Sequence, residues 1–142
     1  MMPDETNIVD HPGLDEDWAK KNFLAKTHDD VRAMFRADKN LCYTEDFTYL
    51  SDLAVRYYLP VAIEYASSTD SAGDYLFIGG IATSLACQLE HNRFSDETKR
   101  IAQEFAKLVL SDLAKYDFDR HEDDFWINSL EYICGQTHGP RS

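Results

Sequence analysis

Residues 75–91, YLFIGGIATSLACQLEH, are apolar on almost every side of a helical wheel. A helix without a polar face has to be wrapped by other elements. This segment therefore predicts a central, buried helix with the rest of the chain packed round it, and Asp74 supplies its start. The four apolar residues 75–78, followed by Gly79 and Gly80, also fit a short strand ending in a turn, which is the competing reading.

The wrapping elements show a period of 3.6. Ser95 opens the clearest of them: Ile101, Ala102, Phe105, Leu108, Val109 and Leu113 share one face, while Lys99, Arg100, Gln103, Glu104, Lys107 and Ser111 share the other. Thr27 is a good N-cap, with Asp29 and Asp30 in the first turn behind it. Val31, Met34 and Phe35 follow at i, i+3 and i+4, and Asn40 is the expected stop. Trp18, Phe23 and Leu24 anchor an earlier helix that begins near Leu14. Thr44 caps a short turn, EDFTYL, and residues 67–74, SSTDSAGD, are a loop of turn formers. Residues 117–124, DFDRHEDD, form an acidic connection into a last helix carrying Phe125, Trp126, Leu130 and Ile133, with Gly135 as its stop. Nothing alternates with period two. The expectation is an all-α, single-domain bundle of five to seven helices over residues 14–135, with a mobile acidic arm at 1–13 and a tail at 136–142. A chain of 142 residues can bury such a core without disulfides or metals.

Residues 51–67, SDLAVRYYLPVAIEYAS, place a proline inside a helical pattern. Asp52, Arg56, Pro60 and Glu64, spaced by four, form one narrow polar stripe; the other positions are largely apolar. Proline cannot donate to the Arg56 carbonyl, and its ring bends the helix away. On the polar stripe that carbonyl is left towards water rather than buried and unsatisfied, a loss of about 1–3 kcal/mol avoided. The expectation is a helix kinked at Pro60. Tyr57 and Tyr58, as helical neighbours, point about 100° apart, one towards the core and one towards another surface.

The longer stretch FTYLSDLAVRYYLPVAIEYA, residues 47–66, resembles the signature of an uncharacterised family of small bacterial proteins. That signature has an aromatic, a Ser or Thr cap, then Arg-Tyr-(Tyr or Phe)-Leu-Pro followed by small and apolar residues. Phe47, Leu50, Ser51, Arg56, Tyr57, Tyr58, Leu59 and Pro60 match it; Val61 stands where an Ala is usual. Residues 93–110, RFSDETKRIAQEFAKLVL, resemble its later helix more loosely. The resemblance implies a helical fold and a bacterial origin, and no activity.

The search for chemistry yields little. His28, Asp29 and Asp30 sit together, as do His121, Glu122, Asp123 and Asp124, and Glu90 adjoins His91. Such residues suit Zn, Mn or Mg ions. Weak metal candidates are therefore His28, Asp30, His91 and His121. Neither cluster has HExxH or EF-hand order, and acids at helix starts are favoured by the helix dipole without any metal. Cys42, Cys87 and Cys134 are odd in number and far apart, so no zinc finger or dithiol motif exists, and free thiols in a reducing cytoplasm are expected. There is no GxSxG, no GK[ST] and no GxGxxG. Gly79 and Gly80, on a helix, are expected to admit a neighbouring backbone at close range. No catalytic residue and no cofactor is assigned, and neither a signal peptide nor a membrane span is expected.

The net charge is −12. It disfavours nucleic acid and speeds encounter with a basic partner. Residues 1–17 hold six acids and no Lys or Arg. Aromatics are 13% of the chain, and Tyr43, Phe47, Tyr49, Tyr58 and Trp126 do not all fit the core by periodicity. Candidate partner contacts are Tyr58, Arg56 and Glu64 on the proline helix and the acids Asp119, Glu122, Asp123 and Asp124. The leading expectation is a cytoplasmic bacterial binding protein, in sharp form an immunity or inhibitor protein neutralising a basic toxin. The alternatives are a metal-dependent hydrolase using the His/Asp clusters, and a homodimer or interaction module without catalytic activity.

Overall fold

Two serine caps set the frame. In the computed structural model, which describes residues 1–37, 42–118 and 124–136, Ser51 Oγ accepts the N–H of Ala54 and Ser95 Oγ accepts that of Thr98. Each satisfies an N–H that the first turn of a helix leaves open. The seven α-helices of the described residues are α1 (Leu14–Phe23), α2 (His28–Ala37), α3 (Cys42–Asp46), α4 (Asp52–Ser67), α5 (Tyr75–Glu90), α6 (Asp96–Leu110) and α7 (Phe125–Cys134), with 3-10 turns at Thr69–Ser71 and Leu113–Tyr116. Thr27 opens α2 through a capping box: its Oγ1 accepts the Asp30 N–H and the Asp30 carboxylate accepts the Thr27 N–H.

Residues 75–78 are the first turn of α5, so the strand alternative gives way to helix. Ten of the 16 residues of α5 are buried, against α3, α6 and α7. The glycine pair does admit close neighbours, but these are side chains rather than a backbone. A Cβ on Gly79 would stand 2.7 Å from the Trp126 ring, and one on Gly80 would stand 2.6 Å from Thr44 Oγ1. Helix α4 packs on α2 and α6, and α6 also meets α7. Pro60 lies within the unbroken α4 and faces solvent. An aromatic chain links these layers: Tyr58 to Phe23 (5.1 Å between centroids), Phe23 to Phe47 (5.7 Å), Phe47 to Phe35 (6.3 Å), Phe35 to Phe77 (5.0 Å) and Phe77 to Tyr65 (4.9 Å).

Residues 1–13 are not a mobile arm throughout. Ile8 is fully buried in the core, its carbonyl accepts the Ser51 N–H at 2.9 Å, and the Asn7 carbonyl accepts the Ser51 hydroxyl at 2.6 Å. One adjacent Ile-Val pair in an acidic stretch carries no periodicity, which is why the sequence suggests a free segment.

The buried polar residues of α5 place α3. Ser84 Oγ donates to the Thr44 carbonyl at 2.7 Å. Gln88 Nε2 donates to the carbonyls of Phe47 and Leu50 at 2.9 and 2.8 Å. Phe47 and Leu50 lie beyond the end of α3, and Gln88 supplies their carbonyls with the donor that buried backbone oxygens need.

Candidate functional site

Asp15, Trp18 and Asn22 recur on α1 at i, i+3 and i+7, one face of the helix, while Ala19 and Phe23 are buried in the core. Opposite them, α3 and the turn after it present Tyr43, Glu45, Asp46 and Tyr49. Between the two runs lies a cleft of about 390 Å³ lined by these seven residues. Asp15, Trp18 and Glu45 are exposed, Asn22, Tyr43 and Tyr49 half-buried, and Asp46 is only 5% exposed. The clamp of Ser84 and Gln88 on residues 44–50 fixes one wall. Contacts of the Phe23 ring with Tyr43 and Phe47 tie it to α1.

The cleft is electrically one-sided. Asp46 accepts one hydrogen bond from Asn22 Nδ2, at 2.7 Å. Burial pushes its carboxyl up to about 6; the Asn22 bond opposes the shift and neighbouring Glu45 adds to it. The Tyr49 hydroxyl is also pushed up, first by burial and then by the negative charge of nearby Asp15. Among the described residues, no Lys, Arg or His pairs with Asp15, Glu45 or Asp46. Elsewhere on the surface, acids do find cations. The α1 lysines themselves turn elsewhere: Lys20 reaches Glu5 at 3.4 Å, and the Lys21 ammonium lies 4.7 Å from the centre of the Trp18 ring. That last contact shows the indole accepting a cation.

The residues singled out in the sequence go to other places. Tyr58 is no surface anchor. It is fully buried, its hydroxyl lies 2.8 and 2.9 Å from the carbonyls of Phe23 and Lys26, and burial pushes its pKa up to about 12. The half-exposed member of the pair is Tyr57, whose ring lies against that of His28, tilted by 38° with 4.2 Å between centroids. Arg56 and Glu64 lie on the solvent side of α4 but are engaged as ties between helices. Arg56 bonds Asp52 and Ser95 and stands 3.8 Å from Glu97; Glu64 pairs with Arg32 of α2, which also holds Asp29. Asp124 is exposed just before α7. Asp119, His121, Glu122 and Asp123 lie outside the described residues.

Of the metal candidates, His28, Asp30 and His91 are likewise occupied. His28 Nε2 meets the Tyr57 carbonyl at 2.8 Å, Asp30 serves the α2 cap, and His91 Nδ1 meets the Cys87 carbonyl at 2.8 Å. Among the described residues, no three of His, Cys, Asp and Glu come together as a ligand set. Phe47 and Trp126, two of the surplus aromatics, are spent on packing: Phe47 in the core, Trp126 against Gly79, Tyr75 and Phe118. Of the other three, Tyr58 is in the core, and Tyr43 and Tyr49 line the cleft. Asp46 and Asn22 carried no signal of their own; what brings them together is the α5 clamp, 38 to 41 positions further along the chain.

No family model, curated protein or solved structure matches this chain.

Proposed function

We propose that the chain is an acidic binding protein that takes a basic protein partner at the α1–α3 cleft. The observation that carries this reading is a solvent-open cleft with three carboxylates and three aromatic rings, where no Lys, Arg or His among the described residues pairs with those carboxylates. Aromatics and desolvated charged pairs at the centre of an interface dominate slow dissociation, while unpaired acids round them steer encounter. The net charge of −12 extends the same sign over the molecule. The sharper form of the reading is a bacterial, cytoplasmic immunity protein that masks the positive cleft of a toxin such as a nuclease.

The test is capture of partners from the native host, followed by association rates measured from low to high salt and by assay of the partner's activity. The expected partner is basic and is inhibited at one-to-one stoichiometry. Its association rate falls steeply as salt shortens the reach of exposed charges to about 8 Å near 0.15 M. An acidic partner, or rates indifferent to salt, would overturn the reading.

A further inference from the structure

We propose that the α1–α3 cleft is a receptor for one arginine side chain, with Asp46 as the group that pairs the guanidinium and Trp18, Tyr43 and Tyr49 as the rings it lies among. This rests on the cleft being a cation site and names the cation.

Five observations select it. Asp46 is 5% exposed and lines a cleft open to solvent, and its hydrogen-bond partner Asn22 is neutral. A carboxylate in that position lacks full hydration and has no counter-charge among the described residues, and a cation entering the cleft supplies one. Among the described residues no metal ligand set forms there, and the aromatic lining suits an organic cation. It must also reach past exposed Asp15 and Glu45 to a group set deeper, which suits a charge at the end of a long stem. Three aromatic residues in a seven-residue lining favour a guanidinium over an ammonium. It is planar, weakly hydrated and able to stack on a ring while donating two parallel N–H bonds to a carboxylate. Lys21 shows that the Trp18 ring takes up positive charge, and neither it nor Lys20 pairs with Asp46.

The experiment titrates the full isotope-labelled chain with N-acetyl-arginine amide, its lysine counterpart and the neutral isostere N-acetyl-citrulline amide. The readout is the Trp18 indole resonance, assigned by its loss in Trp18→Phe. A saturable shift with arginine amide is expected, with a dissociation constant on the order of millimolar for so small a ligand. Asp46→Asn, which keeps an acceptor for Asn22, should weaken it by about tenfold or more. The melting curve of that variant verifies that it is folded, and Asp15→Asn, at the mouth, should weaken binding less. Equal binding of citrulline amide would show that charge is not read. Equal binding of lysine amide would show that the guanidinium is not read. An unchanged constant in Asp46→Asn, or no Trp18 shift with any ligand, would also overturn the proposal. Its failure is separable from that of the binding reading. A basic partner that binds salt-sensitively yet equally to Asp46→Asn removes the receptor and leaves the partner. Arginine amide binding that needs Asp46, without any basic partner, leaves the receptor standing alone.

Discussion

Asp46→Asn should make the protein more stable at neutral pH. In the folded chain the Asp46 carboxyl titrates near 6 against an ordinary 3.8. A raised folded value means the native state holds the proton more tightly than the unfolded state. The stabilisation is therefore fully present below about pH 4 and is lost as pH rises through about 6. At 1.4 kcal/mol per factor of ten, the shift corresponds to about 3 kcal/mol. Asparagine keeps the shape and an oxygen for Asn22 and never ionises. The two proteins should then be equally stable near pH 4, and the variant should lead by about 1–3 kcal/mol near pH 8, or roughly 3–10 °C in melting temperature. Urea unfolding of both chains at several pH values measures the difference, and the contributions of other carboxylates cancel in it. A variant less stable than the parent near pH 8, or a gap that does not change with pH, would refute the account of a desolvated, uncompensated carboxylate. A gap of the expected sign would also mean that this side chain is retained at a cost to the fold, as residues of binding sites commonly are.

Tyr58→Phe removes the hydroxyl that the Phe23 and Lys26 carbonyls share. It should cost about 1–2 kcal/mol in urea unfolding and leave partner association unchanged; unaltered stability would show that those contacts do not matter. Gly80→Ala drives a Cβ to 2.6 Å from Thr44 Oγ1 and so presses α3 off α5. The expected loss is about 1–3 kcal/mol, reduced by up to about 1 from better helix propensity, and a gain in melting temperature would contradict it. For α4, the axes before and after Pro60 should diverge by more than about 20° in an experimentally determined structure; a straight axis would dispose of the kink.

The helical class was legible because its cause is local. Ser51, Ser95 and Thr27 announce helix starts by side-chain chemistry within three residues, and all three caps form. The buried character of α5 was legible too, since an apolar circumference has one solution in water. The cleft was not, because nothing local defines it. Asp46 reads as one more surface acid in the run EDFTYL until Gln88 and Ser84 pull that run against α5. Tyr58 misled for a related reason: on the wheel, two adjacent tyrosines must diverge, but only tertiary packing decides which one turns inward. The carbonyls at the end of α1, drawn across 35 and 32 positions, chose Tyr58.

The clasp between Ser51 and Asn7 joins positions 44 apart in the chain. Residues 7 and 8 leave the ribosome long before the entrance of α4 has been made, and until then they have nothing to hold. Their docking therefore waits for the chain to extend to Ser51. It closes over a cap that α4 can form alone, and fills with Ile8 a hole that the other helices leave. A segment placed in this order acts as a latch on the entrance of α4: its release would free the Ser51 N–H and hydroxyl and expose the Ile8 site, while the α5 clamp, built from other residues, still held the cleft.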